Sequence, residues 1–502
     1  AITGGIGAID NFLDIIAAGV LNATAKDGIY IYEVEGTMDV DVVTSEEGNV
    51  YLKAEGSILD SNDNDDANVI GRNITLVAIT GSIGTLDNFL DVAAKGVLNA
   101  TAKGGIYIFQ VEGSLNLDVI ESGTSDIYLK AKESILDANN NDEANIIGRN
   151  VTLEAINGGI GTLDNFLDVA AKGVLKATAK GDIYIYEIAG TMNLGVVRSL
   201  SGDVHLMALE SIVDSNNNDN ANIIGGNITL MAINGGVGTL NNFLDIMSTG
   251  LVDVLATKSI YIYEVDSTMD LGLVISIDGD VYLKGLESIL DGENKDNVNV
   301  IGNHITLVSL KGGIGTKDNF VNIVALGILN AKTVKSIYIY QMVGDMNLDV
   351  VTSTGGDVHL IAAENIVDAN NNNSNNVIGR HITLVSETGG IGSWDNFLDI
   401  DSTDGKVDAH AVKDIFIVDT AGNLNVGVIK STTGDIHLKA NGYILDYHNN
   451  GKANIIGNNI TLESIKGGVG NIDNLLDLDS AVGTKGEVNI KAAGGIYIQE
   501  VA

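Results

Sequence analysis

The chain lacks cysteine and proline altogether, and each absence excludes something. Without cysteine there can be no disulfide framework, thiolate metal site or cysteine nucleophile. The compartment stays open, because an exported protein can lack disulfides. Average usage of roughly 5% predicts about 25 prolines in a chain of 502 residues. A structure that excludes proline almost everywhere is therefore expected.

Basic residues and long apolar runs are also scarce. The 28 Lys and Arg face 66 Asp and Glu, so the net charge is −38, which argues against nucleic acid or an anionic membrane surface as a partner. No apolar stretch reaches the roughly 18 residues of a transmembrane helix, and no basic region followed by an apolar run opens the chain. We expect neither membrane insertion nor a targeting segment. With 45% hydrophobic residues, disorder is not expected.

A repeat fills the whole chain. The phrase GGIG, or a near copy, followed by DNF returns with a period of about 77 residues, and such regular recurrence is typical of solenoid proteins. The repeats run over 1–77, 78–154, 155–231, 232–308, 309–385 and 386–463, with a partial seventh over 464–502. We therefore predict one continuous domain over 1–502.

The local pattern within each repeat is that of β-strands. Runs such as Ile29-Tyr30-Ile31-Tyr32 alternate with a period of two and end at Gly, Asn or Asp. This predicts an all-β protein, a right-handed parallel β-helix with about three coils per repeat, or alternatively four. At a strand spacing of about 4.8 Å the rod would measure about 95 Å or about 125 Å. Proline is excluded because nearly every strand has neighbours above and below.

Several phrases resemble those of a known family. GGIGTLDNFLDV, SILDANNNDEANIIG and NITL are similar to repeats of giant exported bacterial proteins of the filamentous-haemagglutinin type. That resemblance implies a β-helical surface adhesin or fibre, and a chain that is an internal part of a longer protein. One departure is visible, since the family phrase NPLDV has a proline where this chain has Phe89 and its counterparts.

The candidate metal site is an acidic loop that follows the phrase SILD or SIVD in the first three repeats. Oxygen-bearing side chains at alternating positions suit a hard cation such as Ca²⁺, although the Gly and the bidentate Glu of an EF-hand are missing. A solvated turn rich in Asn and Asp is the favoured alternative. The candidate ligands are Asp60, Asn62, Asn64, Asp65, Asp137, Asn139, Asn141, Asp142, Asp214, Asn216, Asn218 and Asp219.

Other recurring polar residues are expected to be structural. The central asparagine of DNF, a phrase that reads NNF in the fourth copy and DNL in the last, should satisfy backbone groups at a buried turn. It is found at Asn11, Asn88, Asn165, Asn242, Asn319, Asn396 and Asn474. An aspartate three residues later should face solvent, at Asp14, Asp91, Asp168, Asp245, Asp399 and Asp477.

Rings also recur at one phase of the repeat. We expect cross-strand packing rather than a glycan platform for Tyr30, Tyr107, Tyr184, Tyr261, Tyr338, Phe416 and Tyr497. His205, His359 and His437 occupy the phase that tyrosine holds in other repeats, which predicts an outward row of side chains and no metal ligands.

The sequence predicts a structural role. No catalytic motif, catalytic residue or organic cofactor site is found, and nearly every carboxylate has a counterpart one repeat away, whereas a catalytic centre must break the symmetry of a repeat. We therefore expect the non-catalytic, extracellular shaft of a surface fibre. Its expected partners are cell-surface or matrix components, or further copies of itself stacked end to end as a filament. A glycan-binding or carbohydrate-active β-helix is the other alternative.

Overall fold

The computed structural model describes residues 1, 3–62, 64–480 and 486–501, and every regular element among them is a β-strand. The chain forms two compact units, Ala1–Gly250 and Leu251–Ala502. The described residues include no helix with the length and apolar character needed to cross a membrane.

The strands of the first unit are short and follow one another closely. They are β1 (Leu13–Ile15), β2 (Leu21–Ala25), β3 (Ile29–Glu33), β4 (Met38–Ser45), β5 (Val50–Ala54), β6 (Ile58–Asp60), β7 (Val69–Gly71), β8 (Ile74–Ala78), β9 (Leu90–Ala94), β10 (Val97–Ala102), β11 (Ile106–Gln110), β12 (Leu115–Ser122), β13 (Ile127–Ala131), β14 (Ile135–Asp137), β15 (Ile146–Gly148), β16 (Val151–Ala155), β17 (Leu167–Ala171), β18 (Val174–Ala179), β19 (Ile183–Glu187), β20 (Met192–Ser199), β21 (Val204–Ala208), β22 (Ile212–Asp214), β23 (Ile223–Gly225), β24 (Ile228–Ala232) and β25 (Leu244–Ser248).

The second unit repeats the same series. Its strands are β26 (Leu251–Ala256), β27 (Ile260–Glu264), β28 (Met269–Ser276), β29 (Val281–Gly285), β30 (Ile289–Asp291), β31 (Val300–Gly302), β32 (Ile305–Ser309), β33 (Val321–Ala325), β34 (Ile328–Thr333), β35 (Ile337–Gln341), β36 (Met346–Ser353), β37 (Val358–Ala362), β38 (Ile366–Asp368), β39 (Val377–Ile378), β40 (Ile382–Ser386), β41 (Leu398–Asp401), β42 (Lys406–Ala411), β43 (Ile415–Asp419), β44 (Leu424–Ser431), β45 (Ile436–Ala440), β46 (Ile444–Asp446), β47 (Ile455–Ile456), β48 (Ile460–Ser464), β49 (Leu476–Asp479), β50 (Val488–Ala492) and β51 (Ile498–Glu500).

Successive strands alternate between two parallel sheets, as the coils of a β-solenoid require. In the first unit one sheet begins β1–β3–β5–β8–β10, and the other runs from β2 through β4 to β9, β11 and β13. Equivalent residues of neighbouring coils are aligned without a shift: Tyr30 lies beside Tyr51, and Tyr51 lies beside Thr75. The second unit is built in the same way. The predicted all-β parallel solenoid is confirmed.

The number of coils per repeat lies between the two predicted integers. Each repeat has eight strands, for example β9 to β16, but they occupy only seven positions in the two sheets. The long strand β12 pairs with both β14 and β15, which therefore count as one interrupted strand. Seven is odd, so a strand and its counterpart one repeat later fall on opposite sheets. Two repeats therefore complete seven coils, and one coil takes about 22 residues, at the lower end of the range for solenoid units. Three and a half coils per repeat replace the predicted three or four.

The core follows from strand alternation. In β3, Ile29 and Ile31 are buried while Tyr30 and Tyr32 are half-exposed, because side chains of a strand alternate between its two faces. The interior of each unit is filled in the same way by Ile, Leu, Val and Ala. Backbone N–H groups of central strands bond to neighbouring coils, which explains why proline is excluded.

Rings pack on the outer faces as predicted. Phe89 lies edge-on to Tyr107 and Tyr128, with ring centroids 6.2 Å and 4.9 Å apart. His205 is stacked on Tyr184 at 4.6 Å, in line with the expected outward row. The phenylalanine of DNF thus covers a pair of rings from the next two coils, a contact that proline could not make in the same way.

Candidate functional site: the Asx corner

One polar arrangement recurs where a strand is interrupted, and we call it the Asx corner. It consists of an aspartate ending a short strand, an asparagine eight residues later and the loop between them, together with a residue of the next coil 31 positions after the aspartate. In the first copy these are Asp60, Asn68 and Asp91. The remaining five corners are Asp137–Asn145–Asp168, Asp214–Asn222–Asp245, Asp291–Asn299–Asn322, Asp368–Asn376–Asp399 and Asp446–Asn454–Asp477.

The central asparagine holds the corner together. Asn222 Nδ2 donates to Asp214 Oδ1 at 2.7 Å and to the carbonyl of Gly195 at 3.2 Å. Its Oδ1 accepts the backbone N–H of Asp245 at 3.1 Å. The loop is thereby closed at its base and tied to coils on both sides, which is how a buried amide is normally satisfied.

The asparagine of DNF closes the same corner from the next coil. Asn242 Nδ2 donates to the carbonyl of Asp214 at 3.1 Å, and Asn396 Nδ2 donates to that of Asp368 at 3.0 Å. The same bond is made by Asn88, Asn165, Asn319 and Asn474. For these six residues, the predicted role as partners of turn backbone is confirmed.

Several of the loop residues proposed as calcium ligands accept hydrogen bonds from the backbone of their own loop. Asp137 Oδ1 accepts the N–H of Asn139 at 2.9 Å, and Asn141 Oδ1 accepts that of Glu143 at 2.8 Å. Asn140 adopts a left-handed backbone with φ of 45°, a conformation that asparagine tolerates. These bonds form a string of Asx turns whose outer residues are exposed.

The predicted ligands therefore separate into two groups. Those that end a strand lie at the base of the corner, at Asp60, Asp137 and Asp214. The others follow the loop, at Asn62, Asn64, Asp65, Asn139, Asn141, Asp142, Asn216, Asn218 and Asp219. Over the described ranges, no group of three or more His, Asp or Glu side chains is arranged to hold a metal ion. Calcium binding by the loop stays a prediction.

The aspartate in the next coil was expected to face solvent, and this expectation is wrong for five of its six copies. Asp91, Asp168, Asp245, Asp399 and Asp477 are between 3% and 6% exposed, whereas Asp14 is exposed. Asp91 does point outward, since Leu90 and Val92 on either side fill the core. It is buried because the loop of the same corner, which belongs to the preceding coil, lies beside it.

Burial places two carboxyl groups close together at most corners. Loss of solvent, with Asp60, Asp65 and Asp66 nearby, raises the pKa of Asp91 from 3.8 to about 7. Loss of solvent and the neighbouring aspartates likewise raise the pKa values of Asp168 and Asp399 to about 6. Such environments favour a bound proton or a bound cation.

A cavity opens on the corner in both units. One of about 360 Å³ is lined by Asp91, Asn88, Phe89 and Lys130, among others. Its counterpart of about 460 Å³ is lined by Asp399, Asn396, Phe397 and Lys439, and also by Trp394, the one tryptophan of the chain. The burial of the second aspartate and this cavity were missed by sequence reasoning, because alternation within one strand does not show what an adjacent coil places over it.

A separate groove of about 570 Å³ crosses the second sheet of the first unit. Leu86, Tyr107 and Tyr128 line one part of it, and Asp126 and Lys176 supply charges. It is a shallow surface with rings, amides and ions in reach of one another.

These features define a parallel β-solenoid of the repeat-protein class. Comparison of the chain with known protein families, with curated proteins and with solved structures finds no match.

Proposed function

We propose that the chain is the structural, adhesive shaft of an extracellular surface fibre and has no catalytic role. The observation that supports this is repetition: each unit carries the same parallel ladder and the same core from coil to coil, and one Asx corner in each repeat. In the third corner, hydrogen bonds of Asn222 join the corner to the coils on both sides. The resemblance to filamentous-haemagglutinin-type repeats supports the same function.

A shaft sets a distance, and its length should therefore be adjustable in whole repeats. Deletion of residues 78–231 removes two repeats and seven coils, which shortens the molecule along the coil axis by about 34 Å. The variant should fold and melt like the parent, since repeat stabilities are roughly additive between neighbours. Electron microscopy gives the length, and circular dichroism gives the fold.

Deletion of residues 78–192 is the matched control. It ends in the middle of a repeat and joins strands that are not equivalent, so it should lose strand content. The proposal also expects beads coated with the intact chain or with the two-repeat deletion to adhere equally to cells or matrix. Cleavage of a polysaccharide by the intact chain that the two-repeat deletion abolishes would contradict a structural role.

The groove on the first unit favours a second function, glycan binding. Sugar rings stack on aromatic side chains, and the groove combines Tyr107 and Tyr128 with Asp126 and Lys176. A glycan array probed with the full chain tests this. Binding that falls with Tyr128→Ala but not with Tyr51→Ala, the counterpart one repeat earlier, would support it, and an array without signal would exclude it.

A further inference from the structure

The fourth corner differs from the others at the residue of the next coil, which is an asparagine instead of an aspartate. This difference indicates which kind of partner the aspartates lack. There the second residue is Asn322, whose Nδ2 donates to the carbonyl of Asn297 at 3.0 Å. In the other five corners an aspartate occupies this position, and an ionised carboxylate has no hydrogen to donate. In the first and fifth corners this carboxylate lies near a second one, that of Asp60 or Asp368, and both ionised groups can only accept hydrogen bonds.

The fifth corner contains an acceptor that lacks a partner. Asp368 is 7% exposed, and its Oδ1 accepts from Asn370, Asn371 and Asn376. Its Oδ2 is buried and has no hydrogen-bond partner. Asn376 links the two acidic residues, because its amide nitrogen binds Asp368 at 2.7 Å while its oxygen accepts the N–H of Asp399 at 3.0 Å. Asp60 Oδ2 is likewise buried and unpartnered in the first corner.

The nearby lysine is engaged elsewhere. Lys439 Nζ lies 4.1 Å from the ring centroid of Phe397 and 3.8 Å from Glu463. In the part of the chain that the structure describes, no basic side chain places a nitrogen within 4.0 Å of the Asp399 carboxylate, the limit for an ion pair. Burying two carboxylates without a compensating positive charge is costly. Such a pair favours a bound proton or a bound cation.

We propose that the Asp368–Asp399 corner binds a divalent cation that prefers oxygen, Ca²⁺, between Asp368 Oδ2 and the Asp399 carboxylate. Two carboxylates neutralise one such ion, and Ca²⁺ completes its shell with neutral oxygens and water. The recurring cavity beside Asp91 and Asp399 gives the ion a path from solvent. This site differs from the predicted loop site, because neither Asp368 nor Asp399 is among the predicted ligands.

Trp394 makes the site measurable in the intact chain. It lines the same cavity as Asp399 and is the only tryptophan, so Tb³⁺ bound at this corner should emit when the indole is excited. We expect saturable Tb³⁺ emission at neutral pH that Ca²⁺ displaces. Asp399→Asn, which copies the natural Asn322, should weaken Tb³⁺ binding by about tenfold or more.

Asp395→Asn is the matched control, because Asp395 is exposed in the same cavity and carries the same charge. It should leave the affinity within about twofold, as expected for a charge that is not a ligand. Circular dichroism of each variant checks the fold.

Two outcomes would overturn the proposal. Equal emission from the parent and Asp399→Asn would place the ion on the exposed loops. Absence of both Tb³⁺ emission and Ca²⁺ stabilisation, with a melting temperature that rises on mild acidification, would show that the carboxyl pair takes up a proton and not a metal ion.

Discussion

Replacing Glu187 by glutamine should stabilise the solenoid, and should do so only above mildly acidic pH. Glu187 points into the core at the end of β19 and is 1% exposed. Its oxygens accept the N–H groups of Ala171 at 2.9 Å and Ala189 at 3.3 Å. Loss of solvent outweighs these bonds and raises its pKa from 4.5 to about 7.

The direction of the pH effect follows from that shift. A carboxyl with a higher pKa in the folded chain holds its proton more tightly there, so ionisation opposes folding. The cost is absent below pH 4.5, grows as the pH rises and is complete above about pH 7. A difference of about 2.5 pH units corresponds to about 3 kcal/mol at pH 8.

Glutamine already stands at the counterpart of position 187 in two other repeats of the chain. Gln110 occupies the same position one repeat earlier, and its Nε2 donates to the carbonyls of Ala94 at 2.9 Å and Glu112 at 2.7 Å. Gln341 makes the same pair of bonds to Ala325 and Val343. Glu187→Gln should therefore exchange the bond from the Ala189 N–H for two bonds that its own Nε2 donates, in addition to losing the cost of ionisation.

The measurement must be local, because a long repeat chain does not unfold in one step. Hydrogen exchange by mass spectrometry over residues 183–190, corrected for intrinsic rates, should show protection about a hundredfold higher in Glu187→Gln than in the parent at pH 8. At pH 4 the gain should fall to the part contributed by the hydrogen bonds.

Two variants serve as controls for this prediction. Gln110→Glu should lose protection at pH 8, and Glu210→Gln, which removes an exposed charge, should change little. If the ratio of hydrogen-exchange protection in Glu187→Gln to that in the parent is the same at pH 4 and pH 8, the reasoning is refuted.

Three further predictions concern packing and the corner. Asn222→Ala removes three hydrogen bonds and should cost about 3 kcal/mol, seen as faster proteolysis of the loop after Asp214; unchanged cleavage would contradict it. Phe89→Leu keeps an apolar but smaller side chain, loses two edge-on ring contacts and should cost about 1–2 kcal/mol, read as lower hydrogen-exchange protection of β11 and β13. Thr75→Pro removes a ladder N–H from a central strand and should cost about 3 kcal/mol or more, so a melting curve like that of the parent would contradict the explanation for the missing proline.

The architecture could be predicted because local sequence patterns determine it. Alternation in Ile29–Glu33 predicts a strand, and the recurrence of GGIG and DNF predicts stacking. The role of Asn242 was also accessible, since an asparagine at a turn between coils needs backbone partners.

The features that were missed depend on contacts between coils. Asp168 reads as an outward residue of its strand, and its burial is due to the loop between Asp137 and Asn145, which belongs to the preceding coil. The coil count was missed because equivalent phrases were taken to lie on one sheet, whereas β5 and its counterpart β13 lie on opposite sheets. Sequence similarity between phrases shows that strands are equivalent, but it does not show on which sheet each one lies.

The central claim, that two repeats complete seven coils, can be tested by a single distance. The chain has no cysteine, so Thr75→Cys with Thr229→Cys allows two spin labels at counterpart positions of β8 and β24 in the first unit. Pulsed electron paramagnetic resonance should give about 34 Å, seven strand spacings on one sheet. A distance of about 29 Å, for six coils, or of about 38 Å, for eight, would contradict the account.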